Sequence, residues 1–150
     1  MKQSRLIPFT KYFLDFMFFT GLLVVITLPL TLNLAGKYFS QSIRENYWGM
    51  LIILGLSGIC GLLIVYELRK VMKTVVKKDC FVDNNIKSLK IMGRVSFCIC
   101  VLFLIKIFFL PTPATFIIVL TFFIAGLFSH VLSLVFAEAV RFKEENDLTI

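Results

Sequence analysis

Two uncharged runs constrain this chain more than any other feature. Phe16 to Gly36 and Asn46 to Tyr66 are each 21 residues without Asp, Glu, Lys or Arg. A helix crossing the hydrocarbon core of a bilayer needs about 20 consecutive, mostly apolar residues. Both runs meet that length. A third uncharged run, Val95 to Ile105, has 11 residues and stops at Lys106. The fourth, Ile107 to Ala137, has 31 and is broken by Pro111, Thr112 and Pro113. The proline pair forbids one continuous helix, since each proline lacks the N–H that helical bonding needs and restricts the residue before it. A third helix that includes Lys106 and ends near Leu110, followed by a fourth, resolves the pattern. The expected fold is therefore an all-α integral membrane domain over residues 1–150. Its spans lie at about 12–33, 46–66, 91–110 and 114–140.

Composition excludes the soluble alternative. Of the 150 residues, 59% are apolar and only 17% charged; a soluble domain of this size needs more polar surface. A cleaved leader is not expected, because the first run is too long for a signal-peptide core and no small-residue cleavage site follows it.

Charge sets the expected orientation. Four spans place both termini on one side. That side carries Lys2, Arg5 and Lys11, eight basic residues from Arg69 to Arg94, and Arg141 with Lys143, 13 in all. The other side carries Lys37 and Arg44. Basic loops stay in the cytoplasm, so both termini and the middle loop are expected there. Tyr12 and Tyr66 would mark the inner interface, Tyr47 and Trp48 the outer one.

Between the second and third spans, Glu67 to Lys78 contains neither Gly nor Pro, so the second helix should run on past the membrane. The stretch "DCFVDNN" should break it, with Asp83 or Asn84 capping the next helix. The result is a cytoplasmic helical hairpin of net charge +5, projecting about 15 Å. Its lysines suit anionic lipid heads and a protein partner. No nucleic-acid motif accompanies them, so direct nucleic-acid binding is not expected.

Ionisable groups inside the spans each carry a cost. Asp15 should reach the headgroups. Lys106 should snorkel outward or pair in a cavity. His130 shares a face with Gly126, Ser133 and Ala137, small residues that mark close helix contact in lipid. It should face the bundle as a hydrogen-bonded neutral imidazole, with Thr20, Thr27 and Thr31 as possible partners from the first helix. Glu138 should pair with Arg141. Ser57 and Gly61 offer a contact face for a homo-oligomer. Cys60, Cys80, Cys98 and Cys100 read as small apolar packers, not as a disulfide framework or metal site. No catalytic motif is present, and no cofactor or metal is expected; an enzyme is not expected.

The stretch "CFVDNNIKSLKIMG" and the tail "EENDLTI" together resemble a bacterial family of small four-helix membrane proteins known as domain of unknown function, number 2975. In that family a Phe-x-x-x-Asn-x-x-x-Leu-Arg loop precedes the third helix and an Asn-Asp-Leu-Thr-Ile-like tail ends the chain. Phe81, Asn85, Leu89 and the tail match; Lys90 stands in place of the Arg. The resemblance implies the bacterial cytoplasmic membrane and no known activity. It also implies a neighbouring helix-turn-helix repressor, hence a membrane partner or sensor for a cytoplasmic transcriptional regulator. Phe81, Asn85, Leu89, Lys90, Glu145, Asp147, Leu148 and Ile150 are then the candidate interaction residues. The tail carboxylates would lie over Arg69, Lys70, Lys87 or Lys90, with Leu148 and Ile150 packed on the hairpin. A small transporter, or a protein giving immunity to membrane-active peptides, is the competing reading, resting on His130 and Lys106.

Overall fold

The computed structural model describes residues 2–38 and 41–148. The described elements are all α-helical: α1 (Lys2–Ile26), α2 (Leu28–Tyr38), α3 (Gln41–Glu45), α4 (Tyr47–Val76), α5 (Asp83–Phe109) and α6 (Pro113–Leu148). Four helices are long and apolar enough to cross a membrane, within α1, α4, α5 and α6.

The first span is not one straight helix. It breaks at Thr27, two residues before Pro29. Proline has no N–H for the carbonyl one turn earlier, and Thr hydroxyls that bond back to that turn bend helices further. The Thr27 hydroxyl donates to the Leu23 and Val24 carbonyls at 2.9 and 3.2 Å, and Thr31 donates to Thr27 at 3.0 Å. From α4, the Tyr47 hydroxyl reaches the Pro29 carbonyl at 3.2 Å and braces the bend.

The long helices form an open row. α1 packs on α4, α4 on α5 and α5 on α6, while among the described residues the backbone of α1 approaches neither α5 nor α6, and its Val24 and Val25 face Ile99, Phe103, Ile118 and Phe122 across a cavity. The row differs from the closed bundle in which the first helix would offer threonines to His130. Burial concentrates on one stripe of α5: Asn85, Ser88, Leu89, Met92, Ser96, Ile99, Phe103 and Lys106. That spacing of three and four is one face of a helix. Most other large apolar side chains, such as Phe16, Leu56, Phe108 and Phe128, are exposed along the row, as lipid-facing surfaces are.

α5 and α6 interlock through small residues. At Gly93 an added Cβ would stand 2.8 Å from the His130 ring, and at Gly126 one would stand 2.8 Å from the Phe97 ring. The two rings stack, 5.6 Å between centroids and 17° between planes. The close helix contact foreseen from the Gly126–His130–Ser133 face is therefore present, against α5.

Candidate functional site

α4 ends in a tight reversal. The Asp79 N–H bonds to the Thr74 carbonyl at 3.1 Å and the Lys78 N–H to Val75 at 3.0 Å. This pair of bonds is the Schellman ending, whose turning residue is normally glycine. Lys78 occupies it with φ 61°. α5 then begins with Val82 as its extended N-cap, and no side chain caps it. Asp83 and Asn84 lie inside the helix and do not take the capping role expected of them.

Asn85 and Leu89 are four residues apart on α5 and so share a face, while Phe81 precedes the helix. Asn85 and Leu89 are used differently from expectation, whereas Phe81 stays partly exposed. Asn85 is 2% exposed, and its amide donates to the Thr74 hydroxyl at 2.7 Å and to the Cys80 carbonyl. The Thr74 hydroxyl passes its own hydrogen to Val71. Asn85 thus ties the end of α4, the turn and the start of α5 together. Leu89 is buried beneath it. Phe81 packs edge-on to Phe136 of α6, 5.2 Å between centroids. Asn85 and Leu89 are internal, not a docking surface; Lys90 is exposed.

The tail continues α6 as helix. Lys143 donates to Asp79 at 2.7 Å, which pins α6 to the α4–α5 turn. That hydrogen bond, and then the carboxylate's charge, raises the Lys143 pKa. The polarity reverses the expected one, since a tail lysine meets a hairpin acid. Glu145 pairs instead with Arg141 on its own helix, 3.9 Å away. Glu144 and Asp147 are exposed, and Leu148 is 86% exposed, so the expected packing of Leu148 on the hairpin does not occur. Helix geometry carries the tail straight on and leaves no reversal to bring Leu148 back. Ile150 lies outside the described residues.

Among the intramembrane candidates, Lys106 is 7% exposed and donates to the Thr115 hydroxyl at 2.8 Å. Thr115 is fully buried and shares a hydrogen bond of 2.7 Å with Thr112. Lys106 therefore turns into the α5–α6 contact instead of snorkelling outward. His130 stacks on Phe97 and makes no side-chain hydrogen bond among the described residues. Glu138 is exposed and forms no ion pair there, because its expected partner Arg141 faces Glu145.

Two features went unread in the sequence. Asp15 has a partner on α4: Arg69 donates to it at 2.7 Å while lying over the Phe18 ring. A signal existed, an acid just outside the first uncharged run and a base just past the second. The other feature is Glu67, buried on α4, with one oxygen 3.4 Å from Lys70 and the other without a partner. No group of three or more His, Cys, Asp and Glu is placed to hold a metal among the described residues.

The Asp79–Lys143 pair puts the end of α6 beside the α4–α5 turn, and the Asp15–Arg69 pair ties the middle of α1 to α4 short of that turn. Residues 17–150 match the family described as a protein of unknown function (DUF2975). The chain belongs to this family. No curated protein and no solved structure matches it. In this DUF2975 chain, the loop motif that carried the resemblance braces the vertex where α4, α5 and α6 meet. What the vertex offers outward is the exposed helical end of α6, held to the turn by Lys143, and the exposed Lys77, Lys87 and Lys90 of the α4–α5 hairpin.

Proposed function

We propose that this DUF2975 chain is a non-enzymatic protein of the bacterial cytoplasmic membrane, with both termini in the cytoplasm, that docks a helix-turn-helix transcriptional regulator at the vertex. The observation that carries this reading is the Lys143–Asp79 bond. It fixes the last turns of α6 in place, so Glu144, Glu145, Asp147 and Leu148 project as a preorganised acidic helix. Ordering a surface before binding lowers the entropy cost of association. DNA-reading domains are basic on the face that meets phosphate, and an acidic helix complements that face. The vertex lysines remain free to rest on anionic lipid heads.

Recovery of the regulator from membranes with and without residues 142–150 tests the reading. Loss of the regulator on truncation supports it. Failure to recover any regulator in either case, with transcription unchanged on deletion of the whole chain, overturns it.

The transport or immunity reading has one observation in its favour, the burial of Lys106 among hydroxyls. An open row would need a second copy to enclose a path. Unchanged transport or protection in Lys106→Met would exclude it.

A further inference from the structure

At the end of the row away from the termini, α2, α3 and the start of α4 surround a cavity of about 560 Å³. Its wall combines unlike groups. Lys37 comes from the last turn of α2 and Arg44 from the last turn of α3. Asn33 contributes an amide, Glu45 a carboxylate, and Tyr47 with Trp48 an aromatic side. The two basic groups reach one cavity because α3 folds back closely on α2. At Gly36 an added Cβ would stand 3.2 Å from the Arg44 backbone, closer than side chains usually pack, so glycine eases that approach.

The chemistry of the wall is selective. Neither Lys37 nor Arg44 has an ion-pair partner among the described residues. Lys37 lies over the Tyr38 ring, 5.5 Å from its centroid, a contact that leaves its charge uncompensated by a carboxylate; two such cations from separate elements suit one anion with oxygens spread over a tetrahedron, and Arg presents donors in a fork that matches phosphate. Tyr47 and Trp48 meet edge to face, 5.5 Å between centroids, and Trp48 is 72% exposed. Such rings collect at the level of lipid headgroups. Leu32, buried at the base of the cavity, gives an apolar floor.

We infer that this α2–α3–α4 cavity binds a phosphate ester, held by Lys37 and Arg44, with Tyr47 and Trp48 against an apolar stem. Glu45 accepts from a hydroxyl or ammonium group carried on the same head. The site stands apart from the vertex and does not depend on which regulator, if any, docks there. A phospholipid and a free phosphate compound share this chemistry, so the test separates them.

Native mass spectrometry of the full chain in detergent, supplied in turn with phosphatidylglycerol, with diacylglycerol lacking phosphate, and with inorganic phosphate, reads the site directly. Phosphatidylglycerol stays bound to the wild type and diacylglycerol does not. The pair Lys37→Gln with Arg44→Gln weakens retention by about thirtyfold, the effect of removing two basic groups from a lipid surface. The pair Lys87→Gln with Lys90→Gln, at the opposite end, leaves it unchanged. All four side chains are exposed, so both variants keep the wild-type melting temperature. Displacement of the lipid by millimolar inorganic phosphate supports the phosphate site and assigns it to a soluble ester. Equal retention of diacylglycerol, or full retention of phosphatidylglycerol by the Lys37 and Arg44 variant, overturns the inference.

Discussion

The Asn85 side chain donates to the Thr74 hydroxyl at 2.7 Å, joining two helices across the turn that separates them. The bond is buried, and so is the amide that makes it. A buried polar group left without its partner costs about 1–3 kcal/mol. Asn85→Ala should therefore lower the melting temperature in micelles and open residues 77–82 to protease. Asn85→Asp keeps the shape but loses the donor, so it should behave the same way. Wild-type cleavage and melting in both variants would remove Asn85 from the brace.

The contact of Gly93 with His130 gives a reciprocal test of the α5–α6 seam. Gly93→Ala drives a methyl to within 2.8 Å of a ring already stacked on Phe97. Overpacking of this kind typically costs about 1–3 kcal/mol. His130→Ala removes the nearer obstacle and leaves the Gly126 carbonyl at 3.2 Å. The double variant should accordingly be more stable than the two single changes predict by addition, a coupling that a double-mutant cycle measures. Strict additivity would mean that His130 does not set the helix spacing.

The four long apolar helices and the proline break after Leu110 were readable, because chain length against bilayer thickness leaves few solutions. The order of the row was not. Nothing in the apolar stretches says which helix α1 touches, since lipid accepts any apolar face and hydrophobicity does not discriminate partners there. The tail misled for a different reason. Leu148 in an acidic segment reads as an anchor, yet α6 has no Gly or Pro after Gly126 to end it. The helix therefore runs on and carries Leu148 into the open. Phe81, Asn85 and Leu89 stood out as a motif, but spacing alone did not distinguish an outward docking face from an inward brace.

The tail contact has a defined pH response. Lys143 has a pKa raised above its ordinary 10.5 by the bond to Asp79. A base whose folded pKa is raised contributes fully below its unfolded value and loses that contribution as pH rises through the folded one. The end of α6 should stay pinned from neutral pH to about 10, then loosen at more alkaline pH. A spin label at position 147 would report the change as faster motion. Lys143→Met should show the loosened state at every pH, and high salt should approach it, because the pair is exposed and screened. A label equally immobile in Lys143→Met and the wild type would mean that other contacts hold the tail.

The Lys106 and Thr115 pair should give the most asymmetric result. Lys106 is buried with hydroxyls, not carboxylates, as its polar neighbours: Thr115 at 2.8 Å, itself bonded to Thr112. Removing one partner of a buried charged group strands the other, whereas replacing the charged group by an apolar one of similar size is often neutral or stabilising. Lys106→Met keeps the length and apolar stem, so melting should change little or rise. Thr115→Val keeps the volume but removes the hydroxyl that accepts from Lys106, and should cost about 1–3 kcal/mol, the usual penalty for an unpaired buried group. The double variant should return close to Lys106→Met, since the valine no longer faces a cation. Thermal melting of the three variants in one detergent settles the order. If Thr115→Val were harmless while Lys106→Met were severely destabilising, Lys106 would be held by something other than the Thr112–Thr115 hydroxyls, and the α5–α6 seam would need another polar partner there.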